Sequence, residues 1–160
     1  MSKKLVAYFS ASGSTAKLAK TLASAADAEI YEIRPAVPYE RRDLNSMDKK
    51  ARSTVEMQDK NCRPELADHD APIADADIVF VGFPVWWYRE PSIIDSFLEA
   101  YDFSGKTVIP FLTSGGSELG EGQERIEKLA RGAMVLHGRR FSARASESEL
   151  KSWIAGLNLE

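Results

Sequence analysis

The sequence predicts an α/β protein built on a parallel sheet with helices on both faces. Three observations carry this. Short apolar runs alternate with longer segments of helical spacing along the whole chain. Two of those runs, residues 77–84 and 107–114, are almost continuously apolar, as strands buried on both faces must be. The composition is that of a globular protein: 160 residues, 44% hydrophobic and 28% charged. That length fits a single domain over residues 1–160.

The elements follow in order. Residues 5–10 (LVAYFS) form a first strand. A helix follows over 14–26, with Leu18, Ala19, Leu22 and Ala23 at helical spacing. Residues 29–35 alternate with period two, Ile30, Glu32 and Arg34 against Tyr31 and Ile33, as an edge or half-exposed strand does. Pro35 and Pro38 then interrupt the chain. From Glu40 to about Lys60 the charges are mixed, and Leu44, Met47, Ala51, Val55 and Gln58 trace a narrow stripe. This predicts one amphipathic surface helix whose charges form a solvated face. Residues 61–76 are connecting chain. The run 77–84 is a central strand, and the next helix buries Ile94, Phe97, Leu98 and Tyr101. The run 107–114 is a second central strand. A helix over 123–131 carries Ile126, Leu129 and Ala130, a last strand covers 133–142, and a final helix over 147–157 presents Leu150, Trp153, Ile154 and Leu157. There are no internal repeats or low-complexity tracts.

Charge and cysteine content exclude several classes. Lys plus Arg number 21 and Asp plus Glu 24, a formal net charge of −3. Proteins that neutralise nucleic-acid phosphates usually carry a basic excess, so nucleic acid is not an expected partner. No apolar run reaches the ~18 residues of a membrane span, so neither is a membrane. The opening Met1-Ser2-Lys3-Lys4 before LVAYFSA faintly imitates a signal peptide, but Tyr8, Ser10 and Ser12 fit a first strand better. The lone Cys62 cannot form an internal disulfide, which suits a reducing, cytoplasmic setting.

In parallel sheets of this kind ligands bind beyond the carboxyl ends of the strands. After the first strand come Ser10, Ala11, Ser12, Gly13, Ser14 and Thr15, then a helix. Four hydroxyls, a glycine and a helix N-terminus concentrate hydrogen-bond donors with the positive end of the helix dipole, enough to hold a phosphate without a lysine. The competing explanation is ordinary helix capping by Ser12 or Ser14. Other phosphate and metal loops fail on the residues. No acidic residues follow the first strand, as a response-regulator receiver requires. The GxGxxG of dinucleotide-binding folds is absent. Gly105-Lys106-Thr107 resembles the end of a Walker motif, but Ala100 stands where its first glycine belongs and the segment precedes a strand. Cys62 lies in no phosphatase loop.

FSASGSTAKLA in this position resembles the FMN-phosphate loop of flavodoxins. GFPVWWYREPSIIDSFLE and YDFSGKTVIPFLTSGGSELG resemble the two loops beside the isoalloxazine in the flavodoxin branch that carries a Pro-x-Trp-Trp motif. The resemblance runs from the first strand to the last helix, and the three segments occur in the family's order. It implies a flavodoxin-like doubly wound five-stranded parallel sheet, order 2-1-3-4-5, that binds FMN non-covalently. The phosphate would rest on Ser10, Ser12, Gly13, Ser14, Thr15 and Ala16. Pro84, Val85, Trp86, Trp87 and Tyr88 would line the ring, where aromatic stacking contributes about 0.5–1.5 kcal/mol beyond area burial. One of the two tryptophans is expected to plug the core instead. Thr113, Ser114, Gly115, Gly116, Ser117 and Gly120 would read the polar edge of the flavin through backbone groups that glycines bring close. Relatives of this branch tend to place a glycine just after the double Trp. Here it is Tyr88, which puts strong stabilisation of the one-electron-reduced flavin in doubt, since a glycine peptide flips without a Cβ penalty.

Charges near the ring would tune its reduction, Arg89 favouring the more negative reduced flavin and Glu90, Glu118 and Glu121 opposing it. His69, His137 and Cys62 have no partner at catalytic or metal-ligating spacing and read as structural. Two redox roles fit the resemblance: an electron carrier between a reductase and an acceptor protein, or a small NAD(P)H-dependent reductase of quinones or related compounds. The short chain, with no evident extra segment for a nicotinamide, favours the carrier. The modest net charge weakens that preference, because carriers are often much more acidic. A flavin-free binding module on the same fold is the third reading. The chain is expected as a monomer or weak homodimer.

Overall fold

The structure, a computed structural model, describes residues 3–113 and 119–159. Its elements run β1 (Lys4–Tyr8), α1 (Ser14–Ala26), β2 (Glu29–Glu32), a 3-10 turn (Arg41–Leu44), α2 (Arg52–Gln58), β3 (Ile78–Pro84), α3 (Ser92–Ala100), β4 (Thr107–Thr113), α4 (Gly122–Leu129), β5 (Met134–Val135), β6 (Arg139–Arg140) and α5 (Glu147–Gly156). The sheet has the order β2-β1-β3-β4-β5, with β6 also beside β4. Every pairing between these strands is parallel. The anticipated order 2-1-3-4-5 is thus the order found.

Strand alternation sorts the apolar side chains between two layers. Val6, Phe80, Ile109 and Phe111 face α1 and α5, where Leu18, Leu22, Leu150 and Trp153 complete one buried cluster. Leu5, Val79, Val81 and Leu112 face the other way, against Ile93, Ile94, Phe97 and Ile126 of α3 and α4. Each such aliphatic side chain contributes about 1.5–3 kcal/mol by leaving water. Gly82 sits opposite Phe111 in the register, and a Cβ there would lie 2.1 Å from the Phe111 ring. The ring lies across β3 because that position carries no side chain. At the edge, β2 exposes Glu29, Ile30 and Glu32, while Tyr31 turns inward and its hydroxyl donates to Asp68.

Two segments depart from expectation for identifiable reasons. The single helix expected from Glu40 to Lys60 is a 3-10 turn and a short α2. Asn45 Oδ1 accepts the Met47 N–H at 3.0 Å and Asp48 Oδ1 accepts the Lys50 N–H at 2.9 Å. These side chains satisfy the backbone locally and compete with helix continuation. The expected stripe accordingly breaks: Met47 and Val55 are exposed, and α2 buries Ser53, Thr54 and Met57. The strand expected over 133–142 is also split. Pro110 of β4 has no N–H to offer that edge. Gln123 of α4 serves there instead, its Nε2 donating to the Leu136 carbonyl at 3.1 Å and its Oε1 accepting from Gly138 N–H at 2.8 Å. No helix among the described residues is long and apolar enough to cross a membrane.

This topology brings the carboxyl ends of β1, β3 and β4 side by side. The segments that leave them form the candidate site.

Candidate functional site

The loop after β1 is shaped by its own residues. Ser10 Oγ accepts the Gly13 N–H at 3.1 Å. Gly13, at φ 98°, hands the chain into α1 in a conformation that costs glycine little. No side chain caps α1, so the capping explanation for Ser12 and Ser14 fails. The first-turn N–H groups of a helix have no intrahelical acceptor and carry the positive end of the dipole. Thr15 is buried, and its hydroxyl bonds the Thr113 hydroxyl at 2.8 Å, tying this loop to the end of β4. Ala16 packs toward the α1/α5 layer, so only its backbone is available to a ligand.

The loop after β3 is a tight hairpin. Val85 N–H donates to Thr113 O at 3.0 Å. Trp86 and Arg89 exchange N–H···O bonds of 3.0 and 3.2 Å, with Trp87 at φ 49° and Tyr88 at φ 64° between them. Two left-handed residues in a two-residue connection make a type I′ turn, a geometry that usually selects Asn-Gly. Position 88 thus has a glycine-like backbone while carrying a phenol. Trp86 is half-buried and meets Phe9 edge-on at 5.7 Å and Tyr39 at 5.5 Å in an aromatic cluster. Trp87 and Tyr88 stand at the tip, 45% and 66% exposed.

Buried charges hold this hairpin down. Arg89 is 2% exposed, and Glu90 and Asp95 are fully buried. Arg89 Nη1 lies 3.3 Å from Asp95 Oδ2 and 3.6 Å from Glu90 Oε2. Arg125 of α4 reaches the same two carboxylates, at 2.6 Å (Asp95) and 3.0 Å (Glu90). Burial, reinforced by neighbouring Asp95, pushes the Glu90 carboxyl well above the usual carboxylate range, and Arg125 opposes the shift. Arg89 and Glu90, expected as charges near the ring, are buried and paired, and they anchor the turn from beneath. Glu121 is paired with Lys60 at 2.9 Å.

Gly120, at φ 61° just before α4, lies against the hairpin; a Cβ there would lie 2.8 Å from the Tyr88 carbonyl oxygen. Thr113 ends β4 at the groove. Ser114, Gly115, Gly116, Ser117 and Glu118 lie outside the described residues.

The loops after β1 and β3, the end of β4 and the segment 140–143 border an open groove of about 390 Å³, lined among others by Ser12, Ser14, Trp86, Thr113, Arg140 and Ser142. Pro84 and Val85 also reach it. That size falls within the ~300–1,000 Å³ usual for small-molecule sites. A second groove of about 390 Å³ lies on the β2 side of the first loop, where Ser10 and Ala11 meet Pro35, Pro38 and Tyr39. The expected site residues are thus divided. Ser12, Ser14, Pro84, Val85, Trp86 and Thr113 share one groove. Ser10 faces the other, and Thr15 is spent on Thr113. Sequence reasoning missed Tyr39, which backs Trp86, and Arg140, which comes from β6. Arg140's place at a carboxyl strand end was the signal available for it. No group of residues among those described could hold a metal ion. Burial and the nearby Glu56 carboxylate push the Cys62 thiol up, which disfavours the thiolate.

An uncapped helix N-terminus beside a groove lined by serine hydroxyls, an arginine and an indole suits an anionic group attached to a planar body. Comparison with known proteins agrees in fold. A chain from Bacteroides uniformis ATCC 8492 described as a candidate flavoprotein is 44% identical over 96% of this chain and 98% of that one, with a TM-score of 0.90. One of the same description from Bacteroides eggerthii DSM 20697 is 39% identical over the whole of both chains, with a TM-score of 0.93. A flavoprotein from Lactobacillus acidophilus NCFM, solved in complex with FMN, is 24% identical over 96% of this chain and 99% of that one, with a TM-score of 0.71. No functionally curated protein matches. The family model for flavodoxin matches residues 3–157, and the chain belongs to the flavodoxin family.

Proposed function

We propose that this chain binds FMN non-covalently in the groove beyond β1, β3 and β4 and carries electrons between a reductase and an acceptor protein. One observation carries the cofactor assignment: the uncapped start of α1 opens beside Ser12 and Ser14 into a groove walled by Trp86. The donor set suits a phosphomonoester, because backbone N–H groups, hydroxyls and a guanidinium all donate, and no carboxylate stands among the described residues of the groove. Ser12, Ser14 and the first-turn N–H groups of Thr15 and Ala16 would hold the phosphate. Trp86 and the Trp87–Tyr88 tip would border the ring. The complex of the Lactobacillus acidophilus relative with FMN supports the same reading.

Bound FMN supplies the redox chemistry, and the protein binds, orients and tunes it. The Thr15–Thr113 hydroxyl bond fixes the spacing between the proposed phosphate and ring ends. The buried Arg89 and Glu90 hold the hairpin without presenting open charge to the groove. Exposed Trp87 and Tyr88 give an apolar rim that suits transient contact with a partner protein.

The test is a paired titration. Purified protein quenches flavin fluorescence when mixed with FMN, and it stays yellow after unbound flavin is removed on a desalting column. Ser12→Ala with Ser14→Ala weakens FMN by about 10- to 100-fold, as loss of hydrogen bonds to a charged group predicts. Riboflavin, which lacks the phosphate, binds the variant as it binds the parent. Equal losses for both ligands overturn the phosphate assignment, and protein that leaves the desalting column colourless overturns FMN binding altogether. Loaded protein keeps its colour with NADPH alone; rapid bleaching would replace the carrier role by that of an NAD(P)H-dependent reductase.

A further inference from the structure

We propose that Arg140 is a charged contact for the FMN phosphate, so that this site distinguishes FMN from uncharged flavins by ionic attraction as well as by neutral donors. The inference rests on the FMN reading above and adds a residue to it. Arg140 lies far along the chain from the first loop, yet it lines the same groove as Ser12 and Ser14. It is the only charged residue among the described residues that line this groove.

Its backbone is held by β4 at the edge of the sheet. β6 pairs with β4 in the register Phe111↔Arg139 and Leu112↔Arg140. The next residue, Phe141, donates its N–H to Leu112 O at 2.9 Å and buries its ring against Trp153 at 4.9 Å. Period-two alternation then sends Arg140 to the side opposite Phe141. Arg139 is spent differently, its guanidinium 4.9 Å from the Phe141 ring and exposed. Arg144 is exposed, and it does not line the groove. Arg140 alone of the three combines partial burial with access to the groove.

The chemistry suits a phosphate. A phosphomonoester carries a charge of about −1.5 to −2 near neutral pH and three acceptor oxygens. A guanidinium presents five N–H donors in a rigid fork, enough to keep a protein partner and still meet two phosphate oxygens. Such charge-assisted bonds are about twice as strong as neutral ones. The contact also makes binding sensitive to salt, which neutral hydroxyls and amides do not.

The experiment compares Arg140→Gln, Arg140→Lys and Arg139→Gln with the parent chain, each titrated with FMN and with riboflavin at low and high salt. Thermal melting of the ligand-free proteins checks folding. The expected result is an FMN affinity about 10- to 100-fold lower in Arg140→Gln, with riboflavin unchanged and the salt dependence of FMN binding flattened. Arg140→Lys keeps the charge and part of the affinity, and Arg139→Gln behaves as the parent. FMN affinity unchanged in Arg140→Gln overturns the inference, as does an equal loss for both flavins. The two readings separate in the parent chain. If it binds FMN no more tightly than riboflavin, the phosphate site itself is wrong. If it discriminates and Arg140→Gln discriminates equally, only the role of Arg140 falls.

Discussion

The two loops that frame the groove, one after β1 and one after β3, are built on opposite principles. The first is made by neighbours in sequence: Ser10 Oγ takes the Gly13 N–H three residues on, and a glycine occupies the left-handed turn into α1. The second places Trp87 and Tyr88, two large non-glycine residues, in left-handed backbone. Each such residue is less stable there by about 1–2 kcal/mol. That hairpin is held from below by Arg89, Glu90, Asp95 and Arg125, which come from the turn, α3 and α4. One loop is local and relaxed, the other strained and fixed by tertiary charge pairs. Backbone strain that persists because its surroundings over-determine it often marks a working site.

Removing the anchor gives the sharpest contrast. Arg89→Met deletes the most buried cation of the network and leaves the buried Asp95 carboxylate to the partly exposed Arg125 and Arg63, which destabilises by about 3–5 kcal/mol. Ser10→Ala deletes one local, exposed bond in the other loop, worth about 0.5–1.5 kcal/mol. Denaturant unfolding of the two variants measures the difference. Equal losses would mean that the hairpin does not depend on its buried charges.

The same division explains what the sequence reveals and what it hides. The apolar runs of β3 and β4 are legible because strands buried on both faces leave no room for polar residues. The first loop is legible because its serines and glycine act within a few residues. The hairpin is not, since Trp-Tyr carries none of the Asn-Gly signature of a type I′ turn and its support lies elsewhere in the chain. For that reason Arg89 and Glu90 read as charges that tune the ring and not as anchors of the turn. Arg140 is hidden similarly: only the pairing of β6 with β4 and the packing of α5 beside α1 bring it to Ser12 and Ser14. The segment from Glu40 to Lys60 misleads in the other direction. Its charges and apolar spacing are helical, but Asn45 and Asp48 bond their own backbone and divide it.

Two glycines carry the contrast to a smaller scale. Gly120→Ala meets both a positive φ and a backbone oxygen 2.8 Å from the new Cβ. The combined penalty is about 2–4 kcal/mol, because the Tyr88 carbonyl belongs to an anchored turn and cannot retreat freely. Gly13→Ala meets a positive φ in open space, nothing lying within 4 Å, and loses only about 1–2 kcal/mol. Melting temperatures of the ligand-free variants rank them. The reverse order would place the tight packing in the first loop instead of the second.

The smallest effect has the opposite sign. Tyr88 is 66% exposed, so replacing its side chain removes little buried surface. Its φ of 64° is one that glycine adopts without a Cβ penalty. Tyr88→Gly therefore relieves strain in the folded state while adding freedom to the unfolded chain, two terms that oppose each other. Strain relief of about 1–2 kcal/mol against an entropic loss of about 0.5–1 kcal/mol leaves a net gain of about 0–1.5 kcal/mol. Unfolding of the ligand-free variant in denaturant measures it. A loss instead of a gain would mean that the tyrosine ring itself stabilises the turn. In that case the buried charges beneath the turn would not be its main support, and the division between a local loop and an anchored one would have to be redrawn around the phenol.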